Sequence, residues 1–110
     1  MSVTLKKVVT ALDDLKLKDI TIFDFRGYSP LFDYMVIASG SSERQVLASI
    51  NHIYQAVPEI NAKIEGATEG RWLLFDLGDI IVNVMHAEER EYYQLDKLFI
   101  QREKINPEDL

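Results

Sequence analysis

The chain is expected to fold as one mixed α/β domain, a sheet of about five strands with helices packed on it. Three observations predict this. Two stretches repeat apolar residues at helical spacing, Leu5-Val8-Val9-Leu12-Leu15 and Val46-Ile50-Ile53-Tyr54-Val57. Runs rich in β-branched and aromatic residues stand between and around them. Residues 71–86, RWLLFDLGDIIVNVMH, read as a β-hairpin.

The elements follow in order. Residues 3–16 form an amphipathic first helix. Residues 19–25 (DITIFDF) alternate and make a first strand; Gly27, Ser29 and Pro30 then mark a loop. Residues 32–39 (FDYMVIAS) are apolar enough for a central strand, which Gly40 breaks. Ser42 caps the second helix, with Gln45 three residues on completing a capping box. Pro58 follows that helix, residues 62–65 make a short weak strand, and Gly66–Gly70 form a loop. A strand–helix–strand unit across 34–65 is a right-handed crossover if its strands run parallel. After the hairpin comes a helix or helix pair over 87–99. The domain thus spans 1–99. Residues 100–110 are polar with one Pro and are expected to fray.

The hairpin turn is read at Gly78-Asp79, a glycine-first pair suited to a two-residue turn. That fixes the register from Leu77 opposite Ile80 to Trp72 opposite Met85. Opposed residues share a face. One face is Leu73, Phe75, Leu77, Ile80, Val82 and Val84, wholly apolar and therefore core. The other is Trp72, Leu74, Asp76, Ile81, Asn83 and Met85. It is apolar enough to want cover and too polar for a dry interior, so it meets another element or another molecule.

Composition narrows the function. The 110 residues are 47% hydrophobic and 27% charged, with a formal net charge of -6. That balance speaks against a broad phosphate-neutralising surface and against sequence-specific nucleic-acid binding; a basic protein is the better macromolecular partner. There is no cysteine, so disulfides and thiolate zinc sites are ruled out, which suits a cytoplasmic setting. No apolar run approaches the roughly 20 residues of a membrane span, and the start reads as neither a secretory signal nor a transit peptide.

Candidate chemistry is sparse. Gly40-Ser41-Ser42 lies between a strand and a helix start, where free amides can hold phosphate, but it reads first as a turn and cap. Paired carboxylates on a neighbouring strand face, as a nucleotidyltransferase needs for magnesium, are missing. No Walker-type or GxGxxG motif occurs. His52 and His86 are too few for a metal site without cysteine. Neither a catalytic residue nor a metal or cofactor ligand is assigned, and the chain is read as a non-enzyme. Glu88, Glu89 and Glu91 sit at a helix start, where the dipole favours carboxylates. Tyr92 and Tyr93, being adjacent, cannot both face the core, and one is expected to present its ring at the surface. Trp72 is either an edge-of-core anchor or a partner contact. The candidate partner-binding set is Trp72, Leu74, Asp76, Ile81, Met85, Glu88, Glu89, Tyr92 and Tyr93.

At these residues the chain resembles a known family. Asp33-Tyr34-Met35-Val36-Ile37-Ala38-Ser39-Gly40, Ser42-Glu43-Arg44-Gln45-Val46, Glu65-Gly66, Gly70-x-Trp72, Asp76-x-Gly78-Asp79 and Glu89-Arg90-x-Tyr92-Tyr93-x-Leu95 form an ordered set similar to the ribosomal silencing factor RsfS (Iojap) family. The likeness runs from about residue 3 to 99. Asn83 and Met85 stand where the family often has His and Phe, and Phe99 where it often has Trp. The resemblance implies a nucleotidyltransferase-like fold without catalytic carboxylates. It implies binding to the large ribosomal subunit through ribosomal protein L-fourteen, a steric block to subunit joining when nutrients are short, and a homodimer when free. Relatives in organelles act in large-subunit assembly. Glu88, Glu89, Glu91 and Asp96 would then steer the chain toward a basic ribosomal protein. A nucleotide-binding enzyme using Gly40-Ser41, or an assembly adaptor, are the alternatives.

Overall fold

The computed structural model describes residues 2–110. Helix α1 (Val3–Asp14) starts at Ser2, whose hydroxyl accepts from the Leu5 amide, and buries Leu5, Val8, Val9 and Leu12. It ends in a Schellman-type turn, with Lys16 N–H bonded to the Asp13 carbonyl and Leu17 N–H to that of Leu12. Strands β1 (Lys18–Asp24) and β2 (Tyr34–Gly40) follow, then α2 (Glu43–Ala56), β3 (Lys63–Glu65), β4 (Trp72–Asp76) and β5 (Ile80–His86). Two short helices, α3 (Ala87–Tyr93) and α4 (Leu95–Leu98), come next, then β6 (Lys104–Ile105) and a 3₁₀ turn at Pro107–Asp109.

The six strands form one mixed sheet in the order β3-β4-β5-β2-β1-β6. β2 pairs parallel with β5, and every other neighbour is antiparallel. β2 is buried along its whole length, as its apolar run predicts. β2 and β3 run the same way, but β5 and β4 lie between them, so the 34–65 crossover spans two strands.

The hairpin register is as the Gly78-Asp79 turn predicts, from Asp76 opposite Ile81 to Trp72 opposite Met85. Gly78 sits at φ +88°, a conformation that glycine adopts without strain, and Leu77 N–H meets the Ile80 carbonyl at 2.9 Å. Leu73, Phe75, Leu77, Ile80, Val82 and Val84 all enter the main core, closed by α1 and α2 on that face of the sheet. The opposite face holds a smaller core of Phe23, Phe25, Met35, Ile37 and Met85, on which Leu95 and Phe99 pack.

Two expectations change. The sheet has six strands because the C-terminal segment, expected to fray, carries β6. Ile105 pairs with Ile22 and Lys104 with Phe23. A two-residue strand has too few positions to show a period. Tyr54, placed by spacing in the buried stripe of α2, is exposed, and the buried small residue Ser49 lies on that face instead.

Candidate docking site

Trp72 opens β4 on the sheet face away from α1 and α2. Its indole N–H donates to Asn83 Oδ1 at 2.9 Å, and Asn83 Nδ2 reaches Met35 Sδ at 3.0 Å. Asn83 therefore satisfies its buried amide and orients the indole from below. Tyr93 packs against the outer side of Trp72, ring centroids 5.1 Å apart, and Tyr92 meets Tyr93 edge-on at 5.0 Å. Both tyrosines lie outside the core, Tyr92 at 79% and Tyr93 at 52% exposure. The expectation of one surface ring is thus exceeded: three aromatic rings form a continuous cluster open to solvent on its Tyr92 side. Exposed aromatic clusters of this type are where interface energy concentrates.

The other predicted residues divide. Leu74, Asp76 and Ile81 are half-buried on the same sheet face as Trp72. Met85 is fully buried. It belongs to the small core beneath the cluster, which removes it from the contact surface: Phe23, Ile37 and Met85 pack against one another where a partner was expected to reach.

The carboxylates are less free than their spacing suggests. Arg71, just before β4, lies 3.1 Å from Glu88, 2.9 Å from Glu89 and 3.6 Å from Glu43. The hydrogen bonds that Arg71 donates to Glu89, then to Glu88, raise its pKa. Asp96 is held by Arg90 at 2.8 Å. Hydrogen bonding to Arg90 lowers the Asp96 pKa against the opposing effect of burial. Three of the four carboxylates expected to steer a partner are therefore paired within the chain, but Arg71 brings one positive charge to both Glu88 and Glu89, so the patch with Glu91 keeps a net negative charge. Sequence spacing could not show this, because Arg71 lies 17 and 18 residues from its partners.

In the sequence Arg90 stands out only as part of the Glu89-Arg90-x-Tyr92 motif. In the structure its Nε donates to Asp96 Oδ1 at 3.1 Å, and Nη2 to Asp96 Oδ2 at 2.8 Å and to Thr21 Oγ1 at 3.1 Å. Nη1 donates to the Asp19 carbonyl at 2.6 Å and to Ser39 Oγ at 3.0 Å. Arg90 thus joins α3 to β1, β2 and α4.

A cleft of about 410 Å³ beside Arg90 is lined by residues that include Lys18, Ser39, Gly40, Ser41 and Lys97. The Ser41 amide is engaged within the turn, in keeping with its reading as a turn and cap: Ser41 N–H and Oγ–H both meet Gln45 Oε1, at 2.7 and 3.0 Å. Gln45 Nε2 in turn donates to the Leu15 and Lys16 carbonyls. Ser42 Oγ accepts from Gln45 N–H as the helix cap. The Gly-Ser-Ser turn thereby ties α2 to the end of α1. His86 caps α3, its Nδ1 accepting from Glu88 N–H at 3.1 Å, while His52 Nδ1 faces the Ala48 carbonyl. Among the described residues no group of three His, Asp or Glu side chains converges as metal ligands would. Nor, among them, is any helix long and apolar enough to cross a membrane.

Fold and site together describe a small α/β domain that displays an aromatic cluster on one sheet face and holds it with ion pairs. Residues 2–110 match the family described as "Ribosomal silencing factor during starvation". The chain belongs to that family. It is 42% identical to the ribosomal silencing factor RsfS of Bacillus subtilis over 98 residues, covering 86% of this chain and 83% of that protein. It is 30% identical to a mouse protein named "Mitochondrial assembly of ribosomal large subunit protein 1", covering 86% of this chain and 44% of that one. A crystal structure of a Chromobacterium violaceum protein superposes with a TM-score of 0.83 at 36% identity, covering 90% of this chain and 87% of that one.

Proposed function

We propose that this chain silences translation by docking on the large ribosomal subunit through ribosomal protein L-fourteen, so that the small subunit cannot join. The observation that carries the reading is the exposed Trp72–Tyr93–Tyr92 cluster, in a chain whose relatives are named ribosomal silencing factors. Trp72, Tyr92 and Tyr93 supply the apolar anchor, with Leu74 and Ile81 beside them and Asp76, Glu88 and Glu89 at the rim. Arg71 holds Glu88 and Glu89 in place and offsets one of their two charges, so the rim stays acidic and suits a basic partner while the aromatic anchor supplies the apolar contact. The action is occupancy of a surface and needs no chemistry. The homodimer and cytoplasmic setting implied by the resemblance belong to the same reading.

The test is sedimentation with purified subunits. The chain is expected to co-sediment with large subunits and not with small ones, and excess chain to lower the joined fraction when the two are mixed. An unchanged joined fraction with the chain bound to large subunits would sink silencing and leave an assembly role, the activity named for the mouse relative. Stabilisation by magnesium and a nucleoside triphosphate in a thermal shift would favour a nucleotide-binding protein instead.

A further inference from the structure

We propose that Arg90 is the positioning residue of the docking surface, setting Tyr92 and Tyr93 against Trp72; the inference rests on that cluster being where the partner docks. Helix α3 has seven residues and buries none of them. A helix this short does not hold itself in water, and this one has no fully buried side chain to fix it. Polar contacts at its two ends hold it instead. At the start are the Arg71 pairs to Glu88 and Glu89 and the His86 cap. At the end is Arg90.

A guanidinium has five N–H donors, and Arg90 uses five: two on Asp96, and one each on the Asp19 carbonyl, Ser39 and Thr21. Its side chain is 12% exposed, so water competes little for these bonds. Two unusual backbone positions serve the same group. Asp19 lies at φ +51°, where β1 slips register between Lys18 and Thr21, and its carbonyl meets Arg90. Irregularities of this kind re-aim a strand's groups. Gln94, also at φ +51°, turns the chain between α3 and α4 and returns Asp96 to Arg90. Two non-glycine residues held in the left-handed region on either side of one side chain mark a place that the surrounding contacts over-determine. Tyr92 and Tyr93 follow Arg90 by two and three residues in the same short helix, so the contacts that fix Arg90 fix the backbone from which both rings extend. Lysine offers three donors on one atom and no bidentate fork, and cannot replace it.

Trp72 is the sole tryptophan, so its emission reports whether Tyr93 lies against it. The experiment compares wild type, Arg90→Ala, Arg90→Lys and Trp72→Ala. Three readouts are Trp72 emission, amide exchange over 87–93 and co-sedimentation with large subunits. Arg90→Ala and Arg90→Lys are both expected to unfold cooperatively, yet to show red-shifted Trp72 emission, lost protection in α3 and at least tenfold weaker subunit binding. Unchanged emission and protection in Arg90→Ala, or wild-type behaviour of Arg90→Lys, would overturn the positioning role. Altered emission with full binding would overturn its link to docking. If Trp72→Ala itself binds fully, the docking surface is elsewhere, an outcome separate from the emission result. Should Arg90→Ala fail to fold, Thr21→Val removes one acceptor and keeps the ion pair. A smaller emission shift in the same direction supports the proposal, and no shift counts against it.

Discussion

Trp72 is gripped from two sides, by the Asn83 carbonyl oxygen and by the Tyr93 ring. It is only half-buried, and its neighbours Leu73 and Phe75 carry the main core. Trp72→Ala is therefore expected to leave the fold standing and to weaken binding to large subunits at least tenfold, about 1.4 kcal/mol. Co-sedimentation checks the binding, and circular dichroism checks the fold. Asp96 sets a pH dependence. Pairing with Arg90 makes its folded pKa lower than its ordinary value, so its contribution to stability is full above about pH 4 and is lost as pH falls through the folded value. Asp96→Asn removes that titration. Between about pH 5 and pH 2 the wild type should lose stability more steeply than the variant in urea unfolding. Parallel slopes would show that the ion pair contributes nothing.

Elements here differ in how they are held. The central strands rest on apolar burial on both faces, so their alternating and continuous apolar runs could be read directly from the chain. α3, the β6 strand and the 66–70 loop rest on specific contacts with distant residues. Gly66 is the clearest of these. It sits at φ +85°, and a Cβ there would collide with the Trp72 carbonyl. Gly66→Ala is expected to cost about 1–3 kcal/mol, seen as a lower urea midpoint, and to displace the start of β4 with its indole. A midpoint equal to wild type would mean that the loop relaxes freely. The spacing showed a loop at Gly66 but not its closeness to Trp72, because that contact depends on how β3 lies beside β4.

The whole molecule measures 35 × 32 × 25 Å, and the proposed silencing asks this bulk to act as a steric obstacle when seated on one subunit. Part of the net charge of -6 lies in this region, where Arg71 and Arg90 engage Glu88, Glu89 and Asp96 and offset two of those three negative charges. The proposed anchor is the aromatic cluster, and the subunit-mixing experiment tests whether occupancy alone suffices.

The mixed α/β class, both long helices, the hairpin register and the division of its two faces can be read from the amino acids in chain order. Each follows from periodicity or turn chemistry within a few residues. That order also marks Trp72, Tyr92 and Tyr93 as surface candidates. The folded chain was needed to place Met85 beneath that surface, to pair Arg71 with Glu88 and Glu89, to set Arg90 across four elements and to add a strand from the last residues. Those outcomes depend largely on long-range pairings, which leave no period in the chain: Arg71 lies 17 residues from Glu88, and Arg90 lies 71 from Asp19.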